Sequence, residues 1–179
     1  MIDDIHDNIA AAEERIAYNS FETALLFDKG FNAVFEEVGD TRVCFTDEQF
    51  SLMPGNILTH NHPFQKTQNG EVLESSLSVD DARLALNKKL HILRMVYGTK
   101  VHSLKWNDDA TEQELEKLCV LISNLNDKVA ARMRLARETS IEAMYQAWQS
   151  GTKEINDQIH KFAGMKHYSY SLRRRRDVR

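Results

Sequence analysis

Few residues in this sequence interrupt or cross-link the chain. Its 179 residues include only two prolines and seven glycines, so long helices are permitted. Only two cysteines occur, and the spacing of Cys44 and Cys119 fits neither a disulfide framework nor a thiolate zinc site. We therefore expect both cysteines to be core residues.

Long apolar runs are also absent. No stretch approaches the roughly 18 apolar residues of a membrane span, and the acidic N-terminus lacks the basic and apolar regions of a signal peptide. HExxH, paired Cys-x-x-Cys and glycine-rich phosphate-loop motifs are missing too, which excludes several common metal and nucleotide sites. These absences favour a soluble, intracellular protein with no membrane contact.

The composition is that of a globular chain. Hydrophobic residues make up 42% and charged residues 28%, which is enough apolar material for one sizeable core. The net charge of -4 is unevenly distributed, because Arg173–Arg179 hold five arginines and one aspartate. This basic segment contributes +4, so the remainder of the chain carries -8.

Apolar periodicity and turn residues predict a helix followed by short strands in the first third of the chain. Thr46 is a suitable N-cap for a short helix that ends at Pro54-Gly55, because its hydroxyl can accept from a free backbone amide. The other predicted elements are a helix over Asp3–Asn19, strands over Phe21–Phe27 and Phe31–Glu37, an extended segment over Thr41–Phe45, and a buried strand that Pro63 ends.

The rest of the chain reads as a loop, a helix, a hairpin and then long helices. Phe64–Ser76 is polar and without a period, so it is predicted as a loop, and a loop of this length beside a site is often a lid. Residues 111–150 contain neither proline nor glycine and keep a helical spacing. The predicted elements are a helix from Val79 to about Leu90 with Ser78 as its N-cap, a hairpin of Ile92–Tyr97 and Val101–Trp106, one or two long helices from Thr111, and a shorter helix over Lys153–Ala163.

These elements predict an α/β fold, a mixed β-sheet core flanked by helices with a long C-terminal α-helical extension. We divide the chain into a core over 1–106, a helical extension over 107–172 that packs on or projects from the core, and a basic tail over 173–179.

Two histidines at alternate positions of the buried strand suggest a metal site. Residues i and i+2 of an extended chain point to the same side, so His60 and His62 can bind one Zn²⁺ ion. Asp81, in the first turn of the following helix, can supply a third ligand and leave one coordination position open for water. Glu22, at the start of the first strand, is a candidate general base.

The order of these residues resembles a known family. Glu22, then His60-Asn61-His62-Pro63, then Ser78-Val79-Asp80-Asp81 is similar to the JAB/MPN (JAMM) metalloprotease motif of a glutamate, His-x-His-Pro and Ser-x-x-Asp. The His-Asn-His-Pro form resembles the prokaryotic branch, including RadC-like proteins. Residues 20–106 look most like JAB-like domains of phage minor head (head morphogenesis) proteins and of bacterial toxins.

The resemblance implies a zinc-dependent hydrolase of peptide or isopeptide bonds. His60, His62 and Asp81 would hold Zn²⁺, and Glu22 would take a proton from water and pass it to the leaving amine. Ser78 would donate a hydrogen bond to the oxyanion of the tetrahedral intermediate.

Two features leave alternatives to these assignments. The 18 residues between His62 and Asp81 exceed the family's usual spacing, so Asp80 is an alternative ligand. Glu36 and Glu37, in the next strand, are alternatives to Glu22 as the base.

The expected substrate is a peptide or a protein, and the expected setting is the cytoplasm of a bacterial host, in association with a phage or prophage. An alternative function is a non-catalytic assembly or protein-interaction module, with the helical extension as its interface. A third is contact with nucleic acid through the arginine-rich tail.

Overall fold

A six-stranded mixed sheet organises the chain. The computed structural model describes residues 7–67, 69–73, 75–106, 111–163 and 168–174. In chain order the elements are α1 (Asp7–Ile16), β1 (Glu22–Phe27), β2 (Ala33–Gly39), α2 (Asp47–Ser51), β3 (Ile57–Asn61), α3 (Val79–Asn87), β4 (Ile92–Tyr97), β5 (Lys100–Trp106), α4 (Glu112–Arg137), α5 (Ile141–Ala163) and β6 (Tyr168–Arg174).

The strands are arranged in the order β2-β1-β3-β4-β5-β6. Only β3 and β4 run parallel, and the connection between them carries α3; every other neighbouring pair is antiparallel. The predicted fold class is confirmed, since a mixed sheet is flanked by helices and followed by a long helical region. Residues 3–6 of the predicted first helix lie outside the described residues.

Side-chain alternation assigns each residue of the central strands to one of two helical layers. Leu25 and Phe27 of β1 pack with Ile57 of β3 against α1. Leu26 of β1 and Leu58 of β3 belong to the main core on the other face, which α3, α4 and α5 cover. The same alternation decides which polar side chains reach the functional site.

Helices α4 and α5 complete the main core. Leu118 and Ile122 of α4 and Ile159 of α5 are fully buried in the same cluster as the sheet residues. Helix α5 runs without a break through Gly151, so the prediction of a separate short helix over Lys153–Ala163 is wrong. A Cβ at Gly151 would lie 2.5 Å from the Val129 side chain, so the glycine permits close contact between the two helices.

The segment between β2 and α2 differs from its prediction, because Thr41–Phe45 forms no strand. Val43 and Phe45 pack against the main core, while Cys44 between them is exposed. The expectation of a core cysteine is therefore wrong for Cys44, although Cys119 is buried as expected.

A sixth strand lies where the sequence indicated only the end of the helical extension and the basic tail. β6 pairs antiparallel with β5, from Tyr168 opposite Trp106 to Arg174 opposite Lys100. Two arginines of the basic segment thus belong to an edge strand, and residues 175–179 lie outside the described residues. Within the described parts of the chain, no helix is long and apolar enough to cross a membrane.

Candidate metal centre

Strand alternation brings His60 to the face of the sheet that α3 and α4 cover. Its neighbour Thr59 points the other way, to Glu13 of α1. On the sheet, His60 lies between Ala24 of β1 and Met95 of β4, both of which belong to the main core. The His60 side chain is only 4% exposed, so its imidazole is enclosed by protein.

His62 follows two residues later and keeps its ring on the same side. Its backbone N–H donates to the carbonyl of Val96 in β4 at 3.3 Å, which extends the pairing beyond the last residue of β3. The two ring centroids are 5.2 Å apart. Pro63 then interrupts the pairing because it has no backbone N–H.

Asp81 reaches these rings from the first turn of α3. Ser78 is the N-cap of this helix: its Oγ accepts from the Asp81 amide at 3.0 Å, and its own amide donates to Asp81 Oδ2 at 2.7 Å. This reciprocal capping box turns the carboxylate back toward the end of β3. Asp81 Oδ1 lies 3.0 Å from His60 Nε2, and Oδ2 lies 3.2 Å from His62 Nε2.

The three side chains form a group that can hold a metal ion. One ligand atom from each of His60, His62 and Asp81 lies within 4.8 Å of the other two. His60 Nε2 lies 3.0 Å from Asp81 Oδ1, and neither ring nitrogen of this buried histidine makes a hydrogen bond of good geometry with a described residue. Because an unpaired buried polar atom costs free energy, a metal ion bound by this ring would supply a missing partner.

The electrostatics of the cluster agree with close contact between opposite charges. Burial alone would raise the pKa of the Asp81 carboxyl, but His60 and His62 outweigh it and hold this pKa well below its usual value. Burial alone would lower the pKa of His60, but the Asp81 carboxylate outweighs it and raises this pKa. The cluster therefore favours an ionised carboxylate, which is the form that binds metals.

Glu22 faces the same site from β1. Ala24 pairs with His60, so continuing this antiparallel register by two residues brings Glu22 opposite His62. Burial raises the pKa of Glu22, against the lowering effect of the two histidines and of a hydrogen bond with the Val43 backbone. A carboxylate with a raised pKa is better suited to accept a proton near neutral pH.

Asn61, between the two histidines, fixes the backbone on both sides of Glu22. Its side chain points toward the α1 face and is completely buried. Asn61 Oδ1 accepts from the amide of Thr23 at 2.8 Å, and Nδ2 donates to the carbonyl of Phe21 at 2.8 Å. The strand that carries the histidines is thereby tied to the strand that carries Glu22.

The alternative carboxylates are directed elsewhere. Glu36 forms two hydrogen bonds of 2.7 Å with the Arg15 guanidinium, and Glu37 accepts from Gln49 at 2.7 Å. The Asp80 side chain is 83% exposed and lies outside the His-His-Asp group. The geometry thus favours Asp81 over Asp80 as a ligand, and Glu22 over the two glutamates of β2 as the base.

Ser78 touches the site through Asp81. Besides capping α3, its hydroxyl donates to Asp81 Oδ2 at 2.7 Å. Oδ2 thus accepts two hydrogen bonds from Ser78, which leaves Oδ1 as the carboxylate oxygen with fewer partners. A hydroxyl has one proton, so donation from Ser78 to a substrate would require it to leave Asp81.

Among its described residues, the segment between β3 and α3 forms no helix and no strand beyond an isolated bridge of Lys66 with Val72, as predicted for the loop, but it is held at several points. Phe64 packs between Tyr18 and Tyr97, with ring centroids 5.1 and 5.3 Å away. The Tyr97 hydroxyl accepts from the Gln65 amide at 2.9 Å and donates to the Gln65 carbonyl at 3.1 Å. Farther along, Leu77 is fully buried in the main core.

The same segment contacts both α5 and the metal-binding group. Gln149 of α5 donates to the Val72 carbonyl at 3.4 Å. Ser75 Oγ lies 2.7 Å from Nδ1 of His62, on the opposite edge of the ring from Asp81. The segment is therefore attached to a candidate ligand.

A cleft of about 780 Å³ opens beside the group. Glu22, His62 and Asp81 line it together with backbone and side chains from the 41–45 and 64–77 segments. Phe50 and Trp148 add aromatic surface to its wall. A cleft of this volume can admit part of a peptide next to the candidate ligands.

Sequence reasoning missed Ser75 and the role of Asn61. Ser75 lies in a segment without periodicity, and a lone serine there carries no local indication that it will meet a histidine 13 residues away. Asn61 had such an indication, because a buried polar residue between two strand histidines must find hydrogen-bond partners.

Fold and site together define an α/β protein with a buried His-His-Asp group that can hold a metal ion, next to a carboxylate-lined cleft. Comparisons with protein-family models, with curated proteins and with solved structures returned no match.

Proposed function

We propose that this protein is a zinc-dependent, JAMM-like hydrolase of peptide or isopeptide bonds. The observation that carries the proposal is the convergence of His60, His62 and Asp81 beside Glu22 in one cleft. Two imidazole nitrogens and one carboxylate oxygen form a donor set typical of catalytic zinc sites, which keep one coordination position open. The order of the motif residues in the sequence supports the same family.

When bound, Zn²⁺ supplies the Lewis acidity that activates water and polarises an amide carbonyl. Glu22 accepts the proton of the attacking water, because its partly buried carboxylate faces the histidines and has a raised pKa. The same carboxyl then donates this proton to the leaving amine, which returns Glu22 to its ionised form.

Ser78 has two tasks in this scheme. In the resting protein its hydroxyl donates to Asp81 and keeps the carboxylate oriented. During turnover the hydroxyl proton turns to the oxyanion of the substrate, and the Ser78 backbone amide continues to hold Asp81 Oδ2. Ser78→Ala is therefore expected to lower turnover more than it lowers zinc affinity.

The metal site is tested by zinc titration of chelator-treated protein against a chromophoric competitor. We expect one Zn²⁺ per chain, with binding lost in His62→Ala and in Asp81→Asn. Asp80→Asn is the matched control, because it changes the neighbouring but exposed carboxylate, and it should bind zinc like the unaltered protein. A folded protein that takes up no zinc would remove the basis of the proposal.

Catalysis is tested with fluorogenic peptides and isopeptide-linked lysine substrates. Glu22→Gln should keep its zinc and lose roughly 10²- to 10⁴-fold in hydrolysis, the usual contribution of a general base. Glu36→Gln and Glu37→Gln are controls that should leave turnover unchanged. Equal hydrolysis by Glu22→Gln and the unaltered protein would reject Glu22 as the base.

Binding of zinc without hydrolysis of any of these substrates would instead favour the non-catalytic assembly module. Deleting the helical extension is not a usable test of that alternative, because α4 and α5 supply buried core residues. Phage origin, a cytoplasmic location, a protein partner on the helical extension and nucleic-acid contact through the arginines remain predictions from the sequence.

A further inference from the structure

The 64–77 segment contributes a polar contact to the metal-binding group. Ser75 Oγ lies 2.7 Å from His62 Nδ1, while Nε2 of the same ring faces Asp81 at 3.2 Å. The two nitrogens of His62 thus have separate partners on opposite edges of the ring. Nε2 is the nitrogen that faces Asp81, another candidate ligand.

The chemistry of imidazole links these two contacts. A histidine that binds a metal through Nε2 is neutral and carries its proton on Nδ1. That N–H must donate to an acceptor, and Ser75 Oγ is in position to accept it. Such a hydrogen bond selects one tautomer, orients the ring and raises the basicity of the ligating nitrogen.

We infer that Ser75 is a positioning residue for the metal ion, acting through His62; this inference rests on the metal site of the proposed function. The 64–77 segment is then a structural part of the metal centre rather than a separable cover. The same segment lines the cleft through Gln65 and Leu73, so one piece of chain both shapes the cleft and orients a ligand.

The other contacts of the segment hold Ser75 in place. Leu73 and Leu77 are buried on either side of it, at 9% and 0% exposure. Leu73 also donates its amide to the Gln65 carbonyl at 3.1 Å, and Gln65 is bound to Tyr97. Ser75 therefore lies between two buried leucines, as expected of a residue that orients a ligand.

The test compares Ser75→Thr with Ser75→Val in the full-length protein. These two side chains have nearly the same shape, but only threonine keeps the hydroxyl. Zn²⁺ affinity is measured by chelator competition, and the ligand field is read from the visible absorption of the Co²⁺-loaded protein. Ser76→Ala is the matched control, since Ser76 is the next residue, whereas the hydroxyl that contacts His62 belongs to Ser75.

We expect Ser75→Val to weaken Zn²⁺ binding by about 10- to 100-fold, the usual effect of losing such a partner, and to shift the Co²⁺ absorption. Ser75→Thr and Ser76→Ala should retain both properties. Urea unfolding of the metal-free proteins controls for folding, and Ser75→Ala serves as a third variant if the branched side chains perturb the segment.

The possible failures are distinguishable. If the unaltered protein binds Zn²⁺ and Ser75→Val binds it equally well, with the same Co²⁺ spectrum, the role of Ser75 is refuted and the metal site stands. If Ser75→Thr is as defective as Ser75→Val while Ser75→Ala binds Zn²⁺ like the unaltered protein, the hydroxyl is not the cause and the inference fails. If the unaltered protein binds neither metal, the proposed function and this inference both fail.

Discussion

Breaking the buried ion pair between α1 and β4 should strongly destabilise the fold. Arg94 Nε and Nη2 donate to the two carboxylate oxygens of Glu13 at 2.5 and 3.0 Å, and Thr59 Oγ1 adds a third hydrogen bond of 3.0 Å. Both Glu13 and Arg94 are only 3% exposed. Glu13→Gln would leave the guanidinium buried without its counter-charge, at a cost of about 3–5 kcal/mol.

This loss of stability in Glu13→Gln should lower the melting temperature strongly. For a chain of this length, 1 kcal/mol of stability corresponds to about 2–4 °C in Tm, so Tm should fall by about 6–20 °C. Urea unfolding followed by circular dichroism would give the free energy difference directly. Replacing both partners, with Glu13→Leu and Arg94→Met together, should recover most of the loss, because no unpaired charge is then buried.

A matched control lies on the same helix. Arg15 and Glu36 form an ion pair of 2.7 Å whose side chains are 54% and 39% exposed. Arg15→Gln should therefore cost at most about 1 kcal/mol, because water screens the pair and solvates the remaining charge. If Glu13→Gln costs no more than Arg15→Gln, burial does not determine the contribution of these pairs, and the reasoning is refuted.

Three further perturbations test other parts of the structure. Gly151→Ala should lower the free energy of unfolding by about 1–3 kcal/mol, because its Cβ would meet Val129 at 2.5 Å. Adding Val129→Ala should reverse part of this loss of stability. A Gly151→Ala protein that is more stable than the unaltered protein would contradict this packing. Asn61→Ala should lower the free energy of unfolding by about 1–3 kcal/mol, because it leaves buried backbone groups unpaired. It should also reduce hydrolysis more than zinc affinity, because the backbone on both sides of Glu22 loses its hydrogen bonds with Asn61. Unchanged turnover would reject that role. Burial lowers the pKa of His102 to about 3, so the unfolded chain binds a proton that the native ring does not. Stability should therefore fall as pH drops from about 6.5 toward 3, by up to about 1.4 kcal/mol per pH unit. The urea midpoint of His102→Gln should decline less steeply over this pH range than that of the unaltered protein. Parallel plots of midpoint against pH for the two proteins would contradict the lowered pKa.

Elements defined by local patterns could be predicted from the sequence. The N-cap roles of Thr46 and Ser78 depend on residues three positions away, and both form the reciprocal capping contacts. Elements defined by distant partners could not be predicted in the same way. β6 pairs with β5, which lies about 60 residues earlier in the sequence, and Gly151 lies where a Cβ would meet Val129 of another helix.

The same distinction between local patterns and distant partners applies to the candidate site. The alternation of His60 and His62 is a local property, and it predicted that both rings would point to one side. The choice of Glu22 over Glu36 depends on strand register and on Arg15, which lie outside any local window. Ser75 meets His62 across 13 residues of a segment without periodicity, so no spacing rule could have indicated the contact.

The order in which the core is built along the chain has a consequence for synthesis. Glu22, His60, His62 and Asp81 all precede α4 and α5, whose buried residues cover the site-bearing face of the sheet. On a ribosome, the ligands therefore emerge well before the helices that enclose them, and domains generally complete their packing only once the whole unit is available. A nascent chain would expose the two histidines and Glu22 before α4 and α5 are present, so the cleft, whose wall includes Trp148 of α5, would be completed only after translation has passed that residue.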